Sequence, residues 1–489
     1  MTNERPNILW YCTDQQRYDT IGALNNAFVS TPTIDGLVAS GTAFTHAYCQ
    51  SPICTPSRAA FLTGCYPNTV RTPRNGNGAF ADARPLVTRL LRDAGYECGL
   101  VGKLHLASAF GRVEPRVDDG YSYFRYSHAP RDDWAEGHDY ADWVHQKGGC
   151  LKELTRSVEG VPAPFHQTTW ASDRAIEFIT DRKDSRQPWL LSVNVYDPHP
   201  PFNPPQAYRE MFDPAQMPDP LFRNSDIAQQ RKLAALDFQS RVAHPDRLDI
   251  GDPILPSTPS NESYRSEGES PGARDAWTLK AAYYAMIKLV DDQLARIIAA
   301  IDETGQLDNT LVVFMSDHGE TLGDHGLIEK GCRFYEGLVR VPLILSWPGR
   351  FRAGAVRDEL VELIDVAPTL LHAAGLEVPA HMQGQSLHPL LTGAPEAPAR
   401  RPYVRSEYFD ALAGGNASRA TMYRDKRHKL VVYHGQGLGE LYDLERDPGE
   451  FDNLWDAPEA AEVKMRLLVE SFDAAMQAVD LGPERVGPI

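Results

Sequence analysis

A chain of 489 residues has room for one large domain with an appendage or for two to three domains, which excludes a peptide, a disulfide-stapled mini-fold or a single small binding module. Hydrophobic residues at 42 % and charged residues at 24 % lie near globular averages, so disorder is not the expectation. The net charge of −17, from 66 acidic against 49 basic side chains, argues against a sequence-independent grip on nucleic acid or anionic lipid.

The chain enters the strand-like stretch Asn7 to Cys12 with no signal-peptide core, and no apolar run approaches the roughly 18 residues that span a bilayer. A soluble, cytoplasmic protein with no membrane partner is expected. The first stretch ends in Asp14-Gln15. Further short apolar runs follow at Cys98 to Gly102, leading to Lys103-Leu104-His105, and at Trp189 to Val195, leading to Asp197-Pro-His199-Pro. Residues 200 to 275 are rich in Pro, Asp and Ser and include the turn-prone Gly251 to Ser260. They read as a long structureless insertion, at about 203–275, of the kind that forms a lid, a partner contact or disorder.

A helix is expected from about Asp275 to Asp302. Tyr283, Ile287, Val290, Leu294, Ile297 and Ile301 repeat at spacings of three and four, with Lys280, Lys288, Asp292 and Arg296 off that stripe, so one face should pack on a sheet. Leu311 to Met315 ends in Ser316-Asp317-His318-Gly319, and Pro342 to Trp347 is another strand-like run. Beyond Gly393 the texture shifts to short strands such as Lys429 to Tyr433 and a last helix from about Pro458 to Val479. The alternation implies an α/β fold: a large mixed, mostly parallel sheet flanked by helices over residues 1–393, with a smaller C-terminal α+β subdomain over 394–489. Seven scattered cysteines (12, 49, 54, 65, 98, 150 and 332) without a Cys-x-x-Cys pair argue against a disulfide framework or zinc knuckle.

Four strand ends carrying polar groups suggest one shared pocket, because open α/β sheets bind ligands at the carboxyl ends of strands. Asp14, Gln15, Asp317 and His318 offer three oxygen donors and one imidazole. Oxygens suit Ca²⁺, Mg²⁺ or Mn²⁺, and the nitrogen moves the preference toward Mn²⁺. Taken by themselves, Asp317-His318 are better explained as a helix cap followed by a buried histidine.

Ser51 to Gly64 carries Cys54-x-Pro-Ser57-Arg58 followed by Leu62-Thr63-Gly64, which resembles the signature of the sulfatase family of the alkaline-phosphatase superfamily. The similarity extends in family order through Asn7…Asp14-Gln15…Arg17…Asp19, Gly102-Lys103-Leu-His105, Pro198-His199-Pro-Pro-Phe202, Ser316-Asp317-His318-Gly319, Gly326…Lys330-Gly, Leu363-Ile-Asp365 and the late Glu440-Leu-Tyr442-Asp443…Asn453-Leu454. Only 200–275 and about 107–165 have no evident counterpart. Gln15 stands where many sulfatases carry a second aspartate, and His318 where many have asparagine. The Asp-Gln and Asp-His pairings look more like choline sulfatases and phosphonate monoester hydrolases.

The resemblance implies an alkaline-phosphatase-like fold and metal-dependent hydrolysis of sulfate monoesters through a covalent sulfo-enzyme intermediate. It implies that a separate formylglycine-generating enzyme converts Cys54 to Cα-formylglycine, the nucleophile, and that Asp14, Gln15, residue 54, Asp317 and His318 hold one Ca²⁺ or Mn²⁺. Arg58 and Lys103 would hold the diol, Lys103 and Lys330 the transferred group, and His105 would be the base. His199 would serve the leaving oxygen, and Asn75 would contact substrate. The same site could hydrolyse phosphonate monoesters or phosphate diesters. The alternative of a different class, an inactive binding or scaffold relative, is opposed by the intact Cys54, Arg58, Lys103, His105, Asp317 and Lys330. The tail is expected to pack on the main sheet and narrow the pocket entrance, and assembly into a homo-oligomer is left open.

Overall fold

A computed structural model describes residues 5–130, 136–157, 160–234, 236, 242–248, 275–394, 400–412, 417–480, 482 and 487. Its centre is an eight-stranded sheet built from β1 (Asn7–Thr13), β2 (Thr42–Phe44), β4 (Glu97–Gly102), β5 (Tyr121–Tyr126), β6 (Trp189–Asn194), β7 (Thr310–Ser316), β9 (Leu343–Ser346) and β10 (Ala355–Arg357). The order is β10-β2-β9-β7-β1-β6-β4-β5. Only β9 runs against its neighbours, so the sheet is mixed and mostly parallel. β3 (Ala47–Tyr48), β8 (Arg340–Val341) and β11 (Val361–Glu362) make a small second sheet.

Register explains why the strand ends converge. β1 pairs β7 with Thr13 opposite Ser316, β6 pairs β1 with Asn194 opposite Cys12, and β4 pairs β6 with Gly102 opposite Asn194. Four parallel strands therefore stop at one level, and the residues that follow them emerge side by side. Gly102 is required there: its φ is 100°, and a Cβ would lie 2.0 Å from the Asn194 carbonyl.

β1 is buried on both faces, as a central parallel strand should be. Trp10 and Cys12 face a core that includes Ala59, Phe61 and Leu62 of helix Cys54–Thr63; Leu9 and Tyr11 face one that includes Trp170 and Phe178 of helix Gln167–Asp181. The long helix runs from Ala276 to Glu303, with Asp275 capping it through Thr278 N–H at 2.7 Å.

Only the second half of that helix packs on the sheet, through Val290, Leu294, Ile297 and Ile301. The first half, with Tyr283 and Ile287, lies under Phe202, Met217 and Leu248. The expected insertion is thus not structureless where it is described. It forms helices Gln206–Arg209 and Asn224–Lys232 and covers the long helix, burying Lys280, whose Nζ donates to Pro218 O at 3.1 Å. A lysine off the apolar stripe is covered because a second layer reaches it. Residues 249–274, including the turn-prone Gly251 to Ser260, lie outside the described residues.

The C-terminal part is a four-stranded antiparallel meander of β12 (Val404–Phe409), β13 (Arg419–Arg424), β14 (His428–Tyr433) and β15 (Leu438–Asp443), backed by helix Ala461–Gln477. A buried ion cluster fastens it to the main body. Lys429 Nζ meets Glu336 Oε1 and Glu450 Oε1 at 2.7 Å each and Phe334 O at 2.8 Å. Among the described residues no helix is long and apolar enough to cross a membrane.

Candidate active site

Asp14, Cys54, Asp317 and His318 are fully buried, with potential ligand atoms all within 4.8 Å of one another. Asp14 and Gln15 turn off β1, and Gln15 takes the left-handed φ of 71°. Three contacts hold that turn: Asp317 Oδ1 accepts Gln15 N–H at 3.1 Å, Tyr283 donates its hydroxyl to Gln15 O at 2.5 Å, and the same hydroxyl accepts Arg17 N–H at 2.9 Å. Asp317 Oδ1 also accepts His318 N–H at 2.9 Å. The helix cap weighed for Asp317 is not what forms, since no helix follows it directly; Oδ1 instead fixes two loop N–H groups. The other oxygen, Oδ2, takes Arg58 Nε at 2.9 Å.

Cys54 is the first residue of its helix and points into this cluster. Its Sγ lies 3.1 Å from His318 Nε2, 2.9 Å from Lys330 Nζ and 3.8 Å from Asp14 Oδ1. Arg58, one turn on, shares that face. Its Nη1 donates to Lys103 O at 3.1 Å, while Nη2 keeps no hydrogen-bond partner among the described residues and faces Asp14 Oδ2 at 3.6 Å. Ser57 Oγ donates to Asp317 O at 2.6 Å, tying the helix to the end of β7. Lys103 leaves β4 and reaches Asp14 Oδ2; Lys330 Nζ meets Gln15 Oε1 at 2.7 Å, His199 Nε2 at 2.9 Å and His318 Nε2 at 3.3 Å.

The charges act on one another. Burial pushes the Cys54 thiol up, but the ammonium groups of Lys103 and Lys330, with His318, hold it well below its ordinary value. Burial and the Cys54 thiolate push Asp14 up; Lys103, His199 and Arg58 more than reverse this and hold it far below the usual carboxylate range. Asp317 is raised, by burial first and then by Asp14. Two crowded carboxylates of which one is driven toward its acid are what a divalent cation would relieve.

The donor set fits such a cation. His318 Nδ1 faces Gly319 O at 2.9 Å, so that in the neutral ring the proton sits on Nδ1 and the Nε2 lone pair faces the cluster, where a cation would displace the Nε2 proton of the charged ring. Gln15 Nε2 is engaged by Glu320 Oε2, so Oε1 faces inward. Glu320 is buried and also accepts Leu322 N–H at 3.0 Å and the Glu329 N–H. It orients the Gln15 amide. Sequence reading passed over Glu320, although it directly follows Ser316-Asp-His-Gly319.

The remaining expected residues lie around this centre. His105, at φ 58°, is within hydrogen-bonding reach of Cys54, and burial with the nearby Lys103 holds its imidazole at about 4. Glu114 supports it by accepting the N–H groups of His105, Leu106 and Ala107 at 2.5, 2.6 and 3.0 Å. Nothing local in the sequence marks Glu114, which lies in the stretch that has no evident counterpart. His199 Nδ1 faces Pro200 O at 2.7 Å, and burial and Lys330 hold this ring too at about 4. Asn75 caps rather than fills the pocket: its Oδ1 accepts Thr55 N–H at 3.0 Å, at the start of the Cys54 helix, and its own N–H donates to Ala411 O at 2.9 Å. Beyond it, a groove of about 410 Å³ runs along Asn68, Arg74, Phe409, Asp410 and Arg419, so the C-terminal sheet forms one of its walls.

Comparison with known proteins identifies the family and the fold. Residues 6–376 match the Sulfatase family, and residues 323–476 match the family described as N-sulphoglucosamine sulphohydrolase, C-terminal. Arylsulfatase of Clostridium perfringens (strain 13 / Type A) is 29 % identical over 477 residues, taking in 94 % of this chain and 92 % of that protein. The multifunctional alkaline phosphatase superfamily protein PehA of Trinickia caryophylli is 30 % identical over 492 residues, 93 % of this chain and 92 % of that one. Among solved structures, the phosphonate monoester hydrolase of Agrobacterium radiobacter superposes with a TM-score of 0.79 at 26 % identity, covering 97 % of this chain and 96 % of that one. With the fold, the buried cluster and a match over most of its length, the chain belongs to the sulfatase family, a family of sulfuric ester hydrolases.

Proposed function

We propose that the protein hydrolyses sulfate monoesters at residue 54 after conversion of Cys54 to formylglycine by a separate maturation enzyme. The observation that carries this reading is the position of Cys54 Sγ, buried at 2.9 Å from the Lys330 ammonium, 3.1 Å from the His318 imidazole and 3.8 Å from the Asp14 carboxylate. Ca²⁺ or Mn²⁺, held by Asp14, Gln15, Asp317, His318 and residue 54, would polarise the ester oxygens and offset the carboxylate charge. Formylglycine would supply, as its hydrate, a hydroxyl nucleophile in place of the thiol.

Arg58 and Lys103 hold residue 54 from the side of Asp317 and Asp14. Lys103 and Lys330 take the oxygens of the transferred group. His105, kept neutral and in reach of residue 54, accepts the proton whose loss lets that group depart. His199 Nε2 and Lys330 share a proton across 2.9 Å, and the pair supplies it to the leaving oxygen. Asn75 positions the helix start and reaches substrate from the pocket rim. The alcohol part of the substrate leaves toward the groove, whose C-terminal wall narrows the entrance.

Charge sets the preference among esters. Arg58 is matched by Asp317 and Lys103 by Asp14, whereas Lys330 has no carboxylate among its hydrogen-bonding partners. One unmatched cation suits a singly charged group, so sulfate monoesters should come first, phosphonate monoesters and phosphate diesters next, and phosphate monoesters last. The likeness to a phosphonate monoester hydrolase supports the second reading, in which the phosphonate leads. kcat/KM for the four ester classes on one nitrophenolate leaving group separates them. Sulfate first is the expected result; a phosphonate clearly ahead promotes the second reading, and a phosphate monoester ahead overturns both.

A further inference from the structure

Helix Ala461–Gln477 packs on the C-terminal sheet through Leu467 and Ala474. Its opposite face is not a solvent face in composition. Met465, Val469, Phe472 and Met476, with Val479 just past the last turn, are each between 49 % and 64 % exposed, and they are five of the ten large apolar side chains exposed among the described residues. Their spacings of four, three, four and three are those of a coiled-coil seam, which lines them up in one stripe. Together they present on the order of 500 Å² of contiguous apolar surface, about as large as the largest patch on a typical soluble monomer and of the kind that marks an interaction site.

Charge along the stripe selects its occupant. Arg466 and Asp473, each directly after a stripe residue and seven positions apart, are exposed on the same edge. The other edge carries Ala461, Leu468 and Ala475 and no charge. If two such helices cross antiparallel about an axis between Val469 and Phe472, Val469 of each copy meets Phe472 of the other, and Arg466 of each copy stands opposite Asp473 of the other, so the ion pair forms twice. Parallel pairing would set Arg466 beside Ala461 and Asp473 beside Leu468, with no ion pair. Arg466 is already held in place by Glu470 at 2.9 Å and Asp425 at 3.3 Å, with 44 % of its side chain still exposed. The acidic Glu462, Asp473 and Asp480 around the stripe disfavour an anionic lipid surface.

We propose that this face is the contact between two copies of the chain, paired antiparallel through helix Ala461–Gln477. None of these residues lies at the pocket, so the pairing is separable from turnover. Sedimentation velocity of the full chain over a range of concentrations should show a dimer. Phe472→Glu should leave a monomer with kcat/KM unchanged. Arg466→Glu should weaken dimerisation about tenfold or more, by placing like charges opposite one another. Arg466→Glu combined with Asp473→Arg should restore it. A wild-type monomer at all concentrations, or a dimer untouched by Phe472→Glu, overturns the assignment. A double variant no better than Arg466→Glu overturns the antiparallel register. A wild-type monomer that binds phosphatidylcholine vesicles, and loses that binding with Phe472→Glu, gives the stripe to a lipid surface instead.

Discussion

Lys429 and Lys330 are both buried among polar groups, and their surroundings differ in kind. Lys429, where the C-terminal sheet meets the main body, has three ammonium protons and three strong acceptors: Glu336, Glu450 and the Phe334 carbonyl. Lys330, in the pocket, touches an amide oxygen, two imidazole nitrogens and the sulfur of Cys54, whose negative charge formylglycine would not carry, and among the described residues no carboxylate hydrogen-bonds it. The first ammonium is saturated and serves as a fastener. The second keeps charge to offer a substrate. Burial of charge alone does not separate these roles; the identity of the partners does.

The two lysines should therefore fail differently. Lys429→Met leaves Glu336 and Glu450 buried without their cation and should cost about 3–5 kcal/mol of stability, with little change in kcat/KM per folded molecule. Lys330→Met should cost about 2.7–4 kcal/mol in kcat/KM, by analogy with removal of an oxyanion donor, with stability kept or raised. Urea unfolding beside steady-state kinetics on both variants checks this; a loss of stability in both would erase the contrast.

His138 extends the comparison from buried ammonium groups to a buried imidazole. Burial holds its imidazole at about 4, so it is neutral in the fold at pH 6. The unfolded chain protonates it near 6.5, so between pH 6.5 and 4 the unfolded state binds more protons and stability falls as the pH is lowered, by up to about 3 kcal/mol across that window. His138→Asn should flatten this limb when unfolding is compared at pH 7 and pH 4.5.

Glu320 tests the pocket from behind. Glu320→Ala leaves Gln15 Nε2 without its acceptor, and divalent-metal affinity, measured by calorimetry, should fall about 10–100-fold. At the small end, Asp275→Ala removes the cap of the long helix and should cost about 1 kcal/mol in unfolding, with turnover unchanged.

Much of this was legible in the sequence because it is local. β1, β4, β6 and β7 are continuous apolar runs, with Asp14, Lys103 and Asp317 directly after three of them and His199 shortly after the fourth, whereas the six-residue β5, with Ser122 and Arg125 among its aromatics, carries no such signal. The strands of two or three residues, β2, β3, β8, β10 and β11, were not legible either, since no periodicity can build up over so short a stretch. Lys280 read as an off-stripe surface lysine because the layer over it comes from 202–248, whose helices are too short and polar to show a period. Asn75 and Glu114 hold the site through contacts made across the fold, Asn75 with Thr55 and Ala411, Glu114 with the backbone around His105, and their neighbours in the chain say nothing of it.

The central claim is that residue 54 acts as formylglycine in the setting built by Lys103, Lys330, Asp14 and His318. Peptide mass spectrometry of the segment carrying residue 54, on preparations of measured specific activity, tests it most directly. The account predicts that the aldehyde or its hydrate at position 54 rises in proportion to turnover, while the other six cysteines keep their thiols. A fully active preparation with the Cys54 thiol intact would contradict it.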